Sequence, residues 1–488
     1  MTISSRKLFG CFGRNAACLA MTDFTGLKTA LRESAKLALL SLIVSGLLVP
    51  SVVAENSPIA FVHVNVVPMD RERVLSNQTV IVEKGRITAV GAADKTSVPA
   101  GAVRVEGGGK FLTPGLAEMH AHIPDPNSPQ FVNDVLFLFV ANGITTARGM
   151  LGIPGQLALK QRANKGEMIS PTLYLAGPGF SGNPEYGSVK TAEQAIQQVR
   201  QQKAEGWDLL KVLPGFDVVP YDAMARTAKE VGMRFVGHVP DGRGGGLMHA
   251  LEMGQETIEH MDGYVAYLNG NSGVNESALR DVHPVDEAAL KEVVRKTREA
   301  GVWICPTMAW HEISTGWLDL KAVSSRPELK YMPPQLVSQW TTGHKKRLAN
   351  PQFKPAVAKQ IVENRKRILK GLHDGGVRIL LGTDTPQGFS VPGFSIHREM
   401  KKMVEAGMRP YEVIKSGTRD VGLYFKDKDN FGTVEVGKRA DLILVDANPL
   451  EDVANIDRIS GVMVRGSWLP EKDIRAGLDK IARSHSEN

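Results

Sequence analysis

The middle of the chain alternates short apolar runs with longer helix-compatible segments, and this alternation constrains the fold more than any other feature. Segments 191–206 and 286–301 are typical of the helical stretches. The apolar runs that fit β-strands are residues 116–122, 144–150, 172–178, 209–213, 234–239, 256–261, 302–308 and 378–384. Eight strand-then-helix units over roughly 300 residues match the size of a TIM barrel with insertions. We therefore predict an α/β fold with a (β/α)8 TIM barrel in residues 112–425.

Two segments of a different character flank this region. Residues 59–111 and the segment after residue 425 contain short apolar stretches separated by glycine-rich turns, without a helical period. This pattern is typical of antiparallel strands. We expect residues 55–111 and 426–488, the latter including a C-terminal tail, to form one small β-sandwich into which the barrel is inserted.

Residues 309–360 are too long for a simple connection between two barrel elements. The segment is rich in Trp, Pro and Lys. We expect it to fold over the mouth of the barrel as a partly helical lid.

The first 54 residues have the pattern of an export signal. A basic flank at residues 28–36 precedes an apolar run at residues 37–53, and small residues follow. We expect cleavage near Glu55, export to the periplasm or beyond the cell, and no membrane attachment afterwards. Translation from Met21 and an uncleaved anchor are the alternatives, although the run is shorter than the ~20 residues that a bilayer requires.

Charge and cysteine content exclude several other classes of protein. The formal net charge is +7, of which six basic and two acidic residues in the first 54 positions contribute +4, so that the remainder carries +3. No basic run with interleaved aromatic residues is present, and we expect no nucleic-acid partner. Cys11 and Cys18 lie in the leader, so that Cys305 alone remains and a disulfide or Cys-rich zinc site is excluded.

Side chains that can bind metals or transfer protons recur at the C-terminal ends of the predicted strands, where a TIM barrel places its active site. They are His120, His122, Lys211, His238, His260 and Asp384. His120 and His122 point to one face of their strand, because successive side chains alternate, and two imidazoles on one face can share a metal. Taken singly, a histidine could be a hydrogen-bonded core residue and Asp384 could cap a helix.

Lys211 lies inside the apolar run 209–213. A lysine there faces a large desolvation cost and is seldom buried without a partner. It could extend to the strand edge or remain a neutral amine. Carboxylation by carbon dioxide would instead give an anionic carbamate that can bridge two cations.

These motifs resemble those of the amidohydrolase superfamily, in the branch of imidazolonepropionase-like proteins and prolidase-like dipeptidases. The matching stretches are LTPGLAEMHAH, LLKVLPG, VGHV, TIEHMDG, LLGTDTP and GTVEVGKRADLILVDANPL, which extend over nearly all of residues 59–470. One departure is VGHV, where many relatives carry His-Ala-His. The resemblance also implies a small β-sandwich built from both terminal segments.

The resemblance implies a centre of two divalent metal ions, usually zinc. The implied ligands are His120, His122 and Asp384 for the more buried ion, His238 and His260 for the other, and carboxylated Lys211 between them. A hydroxide that bridges the ions would attack an amide carbonyl, and Asp384 would carry its proton to the leaving amine.

The implied substrate is a small amide, either a dipeptide or an N-acyl amino acid. Its free carboxylate requires a contact, for which the candidates are Tyr264, Tyr267, His311 and Arg148. Each candidate could instead serve packing or pair with a core carboxylate. Aromatic residues near the lid would suit a hydrophobic acyl group or serve ordinary packing; they are Trp303, Trp310, Trp317 and Trp340.

Other outcomes of the same fold remain open at this stage. They are opening of a cyclic amide or lactone, and deamination, although a deaminase usually works with one metal and without a bridging lysine. A non-catalytic scaffold would typically have lost ligands. Proteins of this superfamily often form oligomers, and we expect a homo-oligomer.

Overall fold

The computed structural model describes residues 57–184 and 188–486. The predicted export signal in residues 1–54 and the predicted mature start at Glu55 lie outside the described residues. Within the described ranges, no helix is both long enough and apolar enough to cross a lipid bilayer.

Five short strands open the described chain. They are β1 (Ile59–Val66), β2 (Leu75–Glu83), β3 (Arg86–Ala92), β4 (Val103–Glu106) and β5 (Phe111–Pro114). β1 pairs antiparallel with β2 and parallel with both β4 and β5. The sequence of β1, IAFVHVNV, is almost continuously apolar, which fits a strand that is buried along most of its length.

Residues 116–379 contribute eight further strands, each within one of the eight predicted apolar runs. They are β6 (Leu116–Ala121), β7 (Ile144–Gly149), β8 (Thr172–Leu175), β9 (Leu209–Val212), β10 (Arg234–Gly237), β11 (Thr257–Glu259), β12 (Trp303–Cys305) and β13 (Arg378–Ile379). Every pair is parallel. β6 to β8 form one sheet, and β9 to β13 form another in chain order.

Backbone hydrogen bonds join these two parallel sheets at both edges. Between β8 and β9, Gly177 N donates to Leu209 O at 2.9 Å. Between the segment after β13 and β6, Asp384 N donates to His120 O, also at 2.9 Å. The second bond places Asp384 directly beside a histidine of the first parallel strand.

Helices alternate with these strands. They are α1 (Pro129–Ala141), α2 (Gln156–Asn164), α3 (Ala192–Glu205), α4 (Val218–Val231), α5 (Leu247–Glu252), α6 (Tyr264–Leu268), α7 (Glu287–Ala300), α8 (Met308–Ser314), α9 (Leu320–Ser324), α10 (Pro334–Leu348), α11 (Pro355–Asp374) and α12 (Phe394–Glu405). α8, α9, α10 and the first residues of α11 together occupy most of the segment predicted as a partly helical lid.

The ends of α3 and α7 follow from capping residues in the sequence. Thr191 accepts a hydrogen bond from Gln194 N at the start of α3, and Asp286 accepts one from Ala289 N at the start of α7. Gly206 and Gly301 end these helices with φ of 91° and 70°, in the left-handed region that favours glycine. The two predicted helical segments thus contain their own start and stop signals.

The C-terminal segment completes the first sheet. After α13 (Pro410–Ser416) and α14 (Arg419–Tyr424), it provides β14 (Leu442–Val445), β15 (Ile459–Val464) and β16 (Ser467–Pro470). β14 pairs antiparallel with β5, with Leu444 opposite Leu112. Strands from both terminal segments therefore share one eight-stranded sheet in the order β16-β15-β14-β5-β1-β2-β3, with β4 beside β1.

Two elements lie at the limits of the terminal segments. β5 crosses the predicted domain boundary at residue 111, because its residues up to Pro114 pair with β14. The expected tail contains a regular helix, α15 (Glu471–Ser486). Ile474 and Ile481 are buried, seven residues apart on one side of this helix, so that an apolar stripe packs it against the protein.

We expect Leu444→Ala to lower the free energy of unfolding by about 2–5 kcal/mol, because it removes buried methyl groups where the two terminal segments meet. Leu444 is 2% exposed. Leu423→Ala is the matched control, since Leu423 is 48% exposed and a surface substitution changes stability by at most about 0.5 kcal/mol. Urea unfolding followed by circular dichroism measures both variants, and equal midpoints would contradict the role of this contact.

Candidate metal centre

The predicted ligand side chains converge around Asp384. Asp384 Oδ1 lies 2.8 Å from His122 Nε2 and 3.4 Å from His120 Nε2, and Oδ2 lies 3.8 Å from His260 Nε2. The ring centroid of His238 lies 4.9 Å from that of His260. Residues far apart in sequence meet here because parallel strands place their C-terminal ends at one edge.

Three of the histidines are fixed through their Nδ1 atoms by an oxygen of a neighbouring side chain. The distances from Nδ1 to oxygen are 2.8 Å from His120 to Glu259, 3.1 Å from His238 to Asp262 and 2.7 Å from His260 to Thr307. A hydrogen bond at Nδ1 fixes the orientation of the ring and leaves Nε2 available as a metal ligand.

The protonation states of this cluster suit metal binding. Burial lowers the pKa of His120 to about 4, so that its ring is neutral at neutral pH. Burial alone would raise the pKa of Asp384, but His120 and His122 hold it well below its usual range. Neutral imidazole and ionised carboxylate are the forms that bind divalent cations. The ligand atoms of His120, His122 and Asp384 lie within 4.8 Å of one another, a spacing that can hold a metal ion.

Lys211 on β9 is buried beside this cluster. Its side chain is fully enclosed, and no described residue accepts a hydrogen bond from its Nζ. Burial lowers the pKa of Lys211 to about 8, although the negative charges of Glu259 and Asp384 act to raise it. A buried amine without a hydrogen-bond partner carries a large desolvation cost. The contacts within the protein therefore leave this amine without an evident structural role.

His120, Glu259 and Cys305 form a second group with metal-compatible spacing, but its members are already engaged. Arg148 Nη2 donates to Glu259 Oε1 at 2.6 Å, and the Thr257 hydroxyl donates to the same oxygen. Burial alone would raise the pKa of Glu259, but Arg148 and the bond with His120 hold it well below its usual range. Burial raises the pKa of the Cys305 thiol, which therefore keeps its proton. Glu259 acts here as the hydrogen-bond partner of His120.

Arg148 is therefore not the contact for a substrate carboxylate that the sequence suggested. It is fully buried, and besides its pairing with Glu259 its Nε donates to Met119 O at 2.7 Å. Sequence reasoning did not single out Glu259. The available signal was a carboxylate inside the apolar run 256–261, immediately before His260.

Arg365 on α11 is a second residue that sequence reasoning did not single out. Its Nη1 donates to the backbone carbonyl of His260, a residue with φ of 63°. The same guanidinium binds both carboxylate oxygens of Glu276, from Nε at 3.1 Å and from Nη2 at 2.7 Å. Arg365 thus holds the backbone of His260 in an uncommon conformation.

A cavity of about 530 Å³ opens from the cluster. His238, His260 and Asp384 are among the residues that line it. Residues of α8, α10 and α11, together with the loop between α10 and α11, line its walls. The segment predicted as a lid thus lies beside the candidate metal centre.

The four tryptophans considered as candidates near the lid, out of six in the chain, have different positions. Trp310 lines the cavity, and Trp340 packs on Phe389 with ring centroids 5.9 Å apart. Trp317 is 39% exposed. Trp303 belongs to β12 and lies in the core, where its ring meets Tyr424 edge-on.

His311 is placed at the cavity. Its ring centroid lies 5.7 Å from that of His260, and its Nε2 is buried without a hydrogen-bond partner among the described residues. Glu399 of α12 anchors the start of α8, the helix that carries His311, by accepting the backbone N–H groups of Met308 and Ala309 at 2.7 Å each. The position of His311 is thus fixed by its own helix.

Tyr264 and Tyr267, which the sequence suggested as contacts for a substrate carboxylate, do not line the cavity. Tyr264 is fully buried in the hydrophobic core, and its hydroxyl is hydrogen-bonded to Thr297 Oγ1 at 2.7 Å. Tyr267 packs against the same core. The short helix α6 directs both rings into the core.

Comparison with known proteins decides the family. The sequence model described as "Amidohydrolase family" matches residues 111–469. The chain belongs to the amidohydrolase family. The resemblance drawn from its motifs is confirmed, and this amidohydrolase is a hydrolase that acts on carbon–nitrogen bonds.

Individual relatives are distant. The imidazolonepropionase of Fusobacterium nucleatum subsp. nucleatum is 25% identical over 394 residues, which cover 78% of this chain and 87% of the relative. A solved bottromycin amidohydrolase is 22% identical, with a TM-score of 0.68 over 88% of this chain and 90% of its own. A solved Xaa-Pro dipeptidase with bound methionine is 20% identical, with a TM-score of 0.64 over 85% of this chain and 100% of the dipeptidase chain. This amidohydrolase therefore has their TIM-barrel-like α/β fold.

We expect Glu259→Gln to weaken zinc binding by about 10–100-fold, because it removes the carboxylate that orients His120. Competition with a chromogenic zinc chelator measures the affinity. Glu256→Gln is the matched control, because Glu256 contacts Arg234 and Tyr424 and lies three residues away.

The single variant leaves Arg148 buried without its carboxylate partner, so folding needs its own control. The double variant Arg148→Met, Glu259→Gln removes both charges and should show the same loss of zinc affinity. Unchanged zinc affinity in either folded variant would refute the orienting role of Glu259.

Proposed function

We propose that this protein is an exported amidohydrolase with a two-metal centre, which hydrolyses the amide bond of a dipeptide or an N-acyl amino acid. The observation that carries the proposal is the buried amine of Lys211 beside the histidine and aspartate cluster, for which the described part of the chain provides no hydrogen-bond partner. A one-metal centre has no need of such a lysine.

The donor set fits two divalent ions. The proposed ligands are His120, His122, Lys211, His238, His260 and Asp384. Zinc suits imidazole and carboxylate-type ligands, and three of the imidazoles are already fixed at Nδ1. Ions held there supply a Lewis acid for the substrate carbonyl and lower the pKa of water.

Lys211 would carry a carboxyl group. Its neutral amine attacks carbon dioxide, a nitrogen–carbon bond forms, and one proton is released, which leaves an anionic carbamate with two ligand oxygens. The pKa of Lys211, lowered to about 8, makes the neutral amine accessible near neutral pH. An amine with no hydrogen-bond partner among the described residues would thereby become an anion that two divalent cations could bind, which would remove the desolvation problem.

Asp384 would move the proton of the reaction. Its carboxylate is 4% exposed and ionised at neutral pH, so that it can accept a proton from the attacking water. Passing this proton to the amide nitrogen makes the amine a leaving group. His311, whose Nε2 lies at the cavity without a partner in the described part of the chain, would hydrogen-bond the substrate.

Further features complete the proposal. The eight parallel strands close into a (β/α)8 barrel, which the hydrogen bonds at both sheet edges support. The terminal sheet forms the family's small β-sandwich, the leader directs export to the periplasm or beyond the cell, and the protein forms a homo-oligomer. The similarity to an imidazolonepropionase keeps hydrolysis of a cyclic amide as the second candidate.

A panel of dipeptides, N-acyl amino acids and cyclic amides tests the proposal with zinc-loaded protein. We expect hydrolysis of linear amides, and Asp384→Asn should lower kcat at least 100-fold, because the proton acceptor is lost. Asp479→Asn, at an exposed position of α15, is the matched control and should leave kcat unchanged. Unaltered kcat in Asp384→Asn, or turnover of cyclic amides alone, would contradict the proposal.

A further inference from the structure

Positive charge is concentrated in one part of the chain, around the loop that joins α10 to α11. Residues 330–370 contain ten basic residues and one acidic residue, a net charge of +9. Residues 55–488 carry +3 in total, so that the other residues of this part of the chain carry −6. A small net charge thus conceals a strong separation of charge, which is typical of a surface that binds an anionic partner.

Five of these basic side chains are exposed and form no ion pair with an Asp or Glu among the described residues. We call them the cationic face; they are Lys345, Lys346, Arg347, Lys354 and Lys359. Arg347 Nη1 donates to Ile313 O at 3.2 Å, and Lys354 Nζ donates to Arg280 O at 3.0 Å. The other basic residues of α11 are each paired with a carboxylate. The cationic face therefore keeps charges that the protein does not neutralise.

The members of the cationic face lie close together on the surface. Three of them form the last turn of α10, Lys354 is the residue immediately before α11, and Lys359 lies five residues further along. Arg347 and Lys354 line the same cavity, so the two helix ends meet there.

Helix dipoles account for only part of this arrangement. Cations in the last turn of α10 are favoured by the partial negative charge of a helix C-terminus. Lys354 instead occupies the N-cap of α11, and the first turn of that helix carries no acidic residue. A cation at this position meets the partial positive charge of the N-terminus, which is unfavourable. Helix stability therefore does not explain why Lys354 is basic.

An exposed tryptophan lies beside the cationic face. Trp317 is 39% exposed. It follows Gly316, where an added Cβ would lie 2.9 Å from the ring of Phe353 and 3.3 Å from Leu348. Both of these residues belong to the segment 345–359 that carries the cationic face. Tryptophan is enriched where lipid meets water, and lysine and arginine are attracted to anionic headgroups.

We propose that the cationic face, together with Trp317, binds the surface of a bilayer that contains anionic phospholipids. Headgroup phosphates lie against the five cations, and the indole lies at the level of the headgroups. Phe353 is the one aromatic residue within residues 345–359, so these residues offer a nucleic acid no series of rings on which bases could stack.

This peripheral contact departs from the expectation of no membrane attachment, and it does not depend on the proposed amide hydrolysis. Because Arg347 and Lys354 also line the cavity, a docked molecule holds the cavity next to the lipid.

Sedimentation with lipid vesicles tests the proposal. The mature chain from Glu55 is used, because the apolar run 37–53 would bind a bilayer by itself and the chain after it forms a compact unit of its own. We expect binding to vesicles of equimolar phosphatidylglycerol and phosphatidylcholine, and none to phosphatidylcholine alone. Added salt should weaken the binding, because it screens exposed charges.

Two double variants with the same loss of charge locate the contact. Lys346→Gln with Lys359→Gln should lower the partition coefficient about 25-fold, because each basic residue at an anionic surface contributes about fivefold. Lys203→Gln with Lys229→Gln, at exposed positions of α3 and α4, is the matched control and should leave binding unchanged.

A second pair of variants tests the indole. Trp317→Ala should lower the partition coefficient several-fold, because the interfacial aromatic ring is lost. Val436→Ala, which truncates an apolar residue that is 63% exposed and lies outside the cationic face, should have no effect. Urea midpoints equal to that of the parent establish that the variants are folded.

Several results would overturn the proposal. They are equal binding to both kinds of vesicle, no binding to either, and an equal loss in the two double variants, which would mean that net charge alone acts. Unchanged binding in Trp317→Ala would overturn the seating of the indole. Tighter binding to duplex DNA than to the anionic vesicles would assign the cationic face to a nucleic acid instead.

Discussion

The burial of Lys211 beside histidines and Asp384 is the constraint on which the account of this site depends. A fully enclosed amine without a hydrogen-bond partner is costly in any protein, and the described residues offer it no acceptor. The parallel strands force this arrangement, because they bring residues from β6, β9 and the ends of β10, β11 and β13 to one place. The proposed pair of cations and carbamate would give a lysine at this position a function.

Residues around the cluster position its histidines indirectly, through other side chains or the backbone. Arg148 fixes Glu259, which in turn fixes His120 through Nδ1. Arg365 holds the backbone of His260, and Glu399 fixes the start of the helix that carries His311. Burying charged side chains such as these costs desolvation free energy, and ion pairs between them add little net stability. Their presence beside the cluster is therefore consistent with a role in positioning the histidines.

Much of the fold and of the candidate site could be predicted because both follow from local patterns. Apolar runs separated by helical segments located the eight parallel strands, and residue type at strand ends located the candidate ligands. Contacts between distant elements could not be predicted this way. Tyr264 turns into the core, Arg148 meets a carboxylate from another strand, and β5 extends past its expected end to pair with β14.

Metal content per chain tests the central claim most directly. The parent, Lys211→Met and the exposed-lysine control Lys203→Met would be reconstituted with zinc and bicarbonate, freed of unbound metal and measured by mass spectrometry. The account predicts close to two zinc ions per chain in the parent and the control, with a clear loss in Lys211→Met. One zinc ion per chain in all three proteins would contradict a lysine-bridged pair of metals.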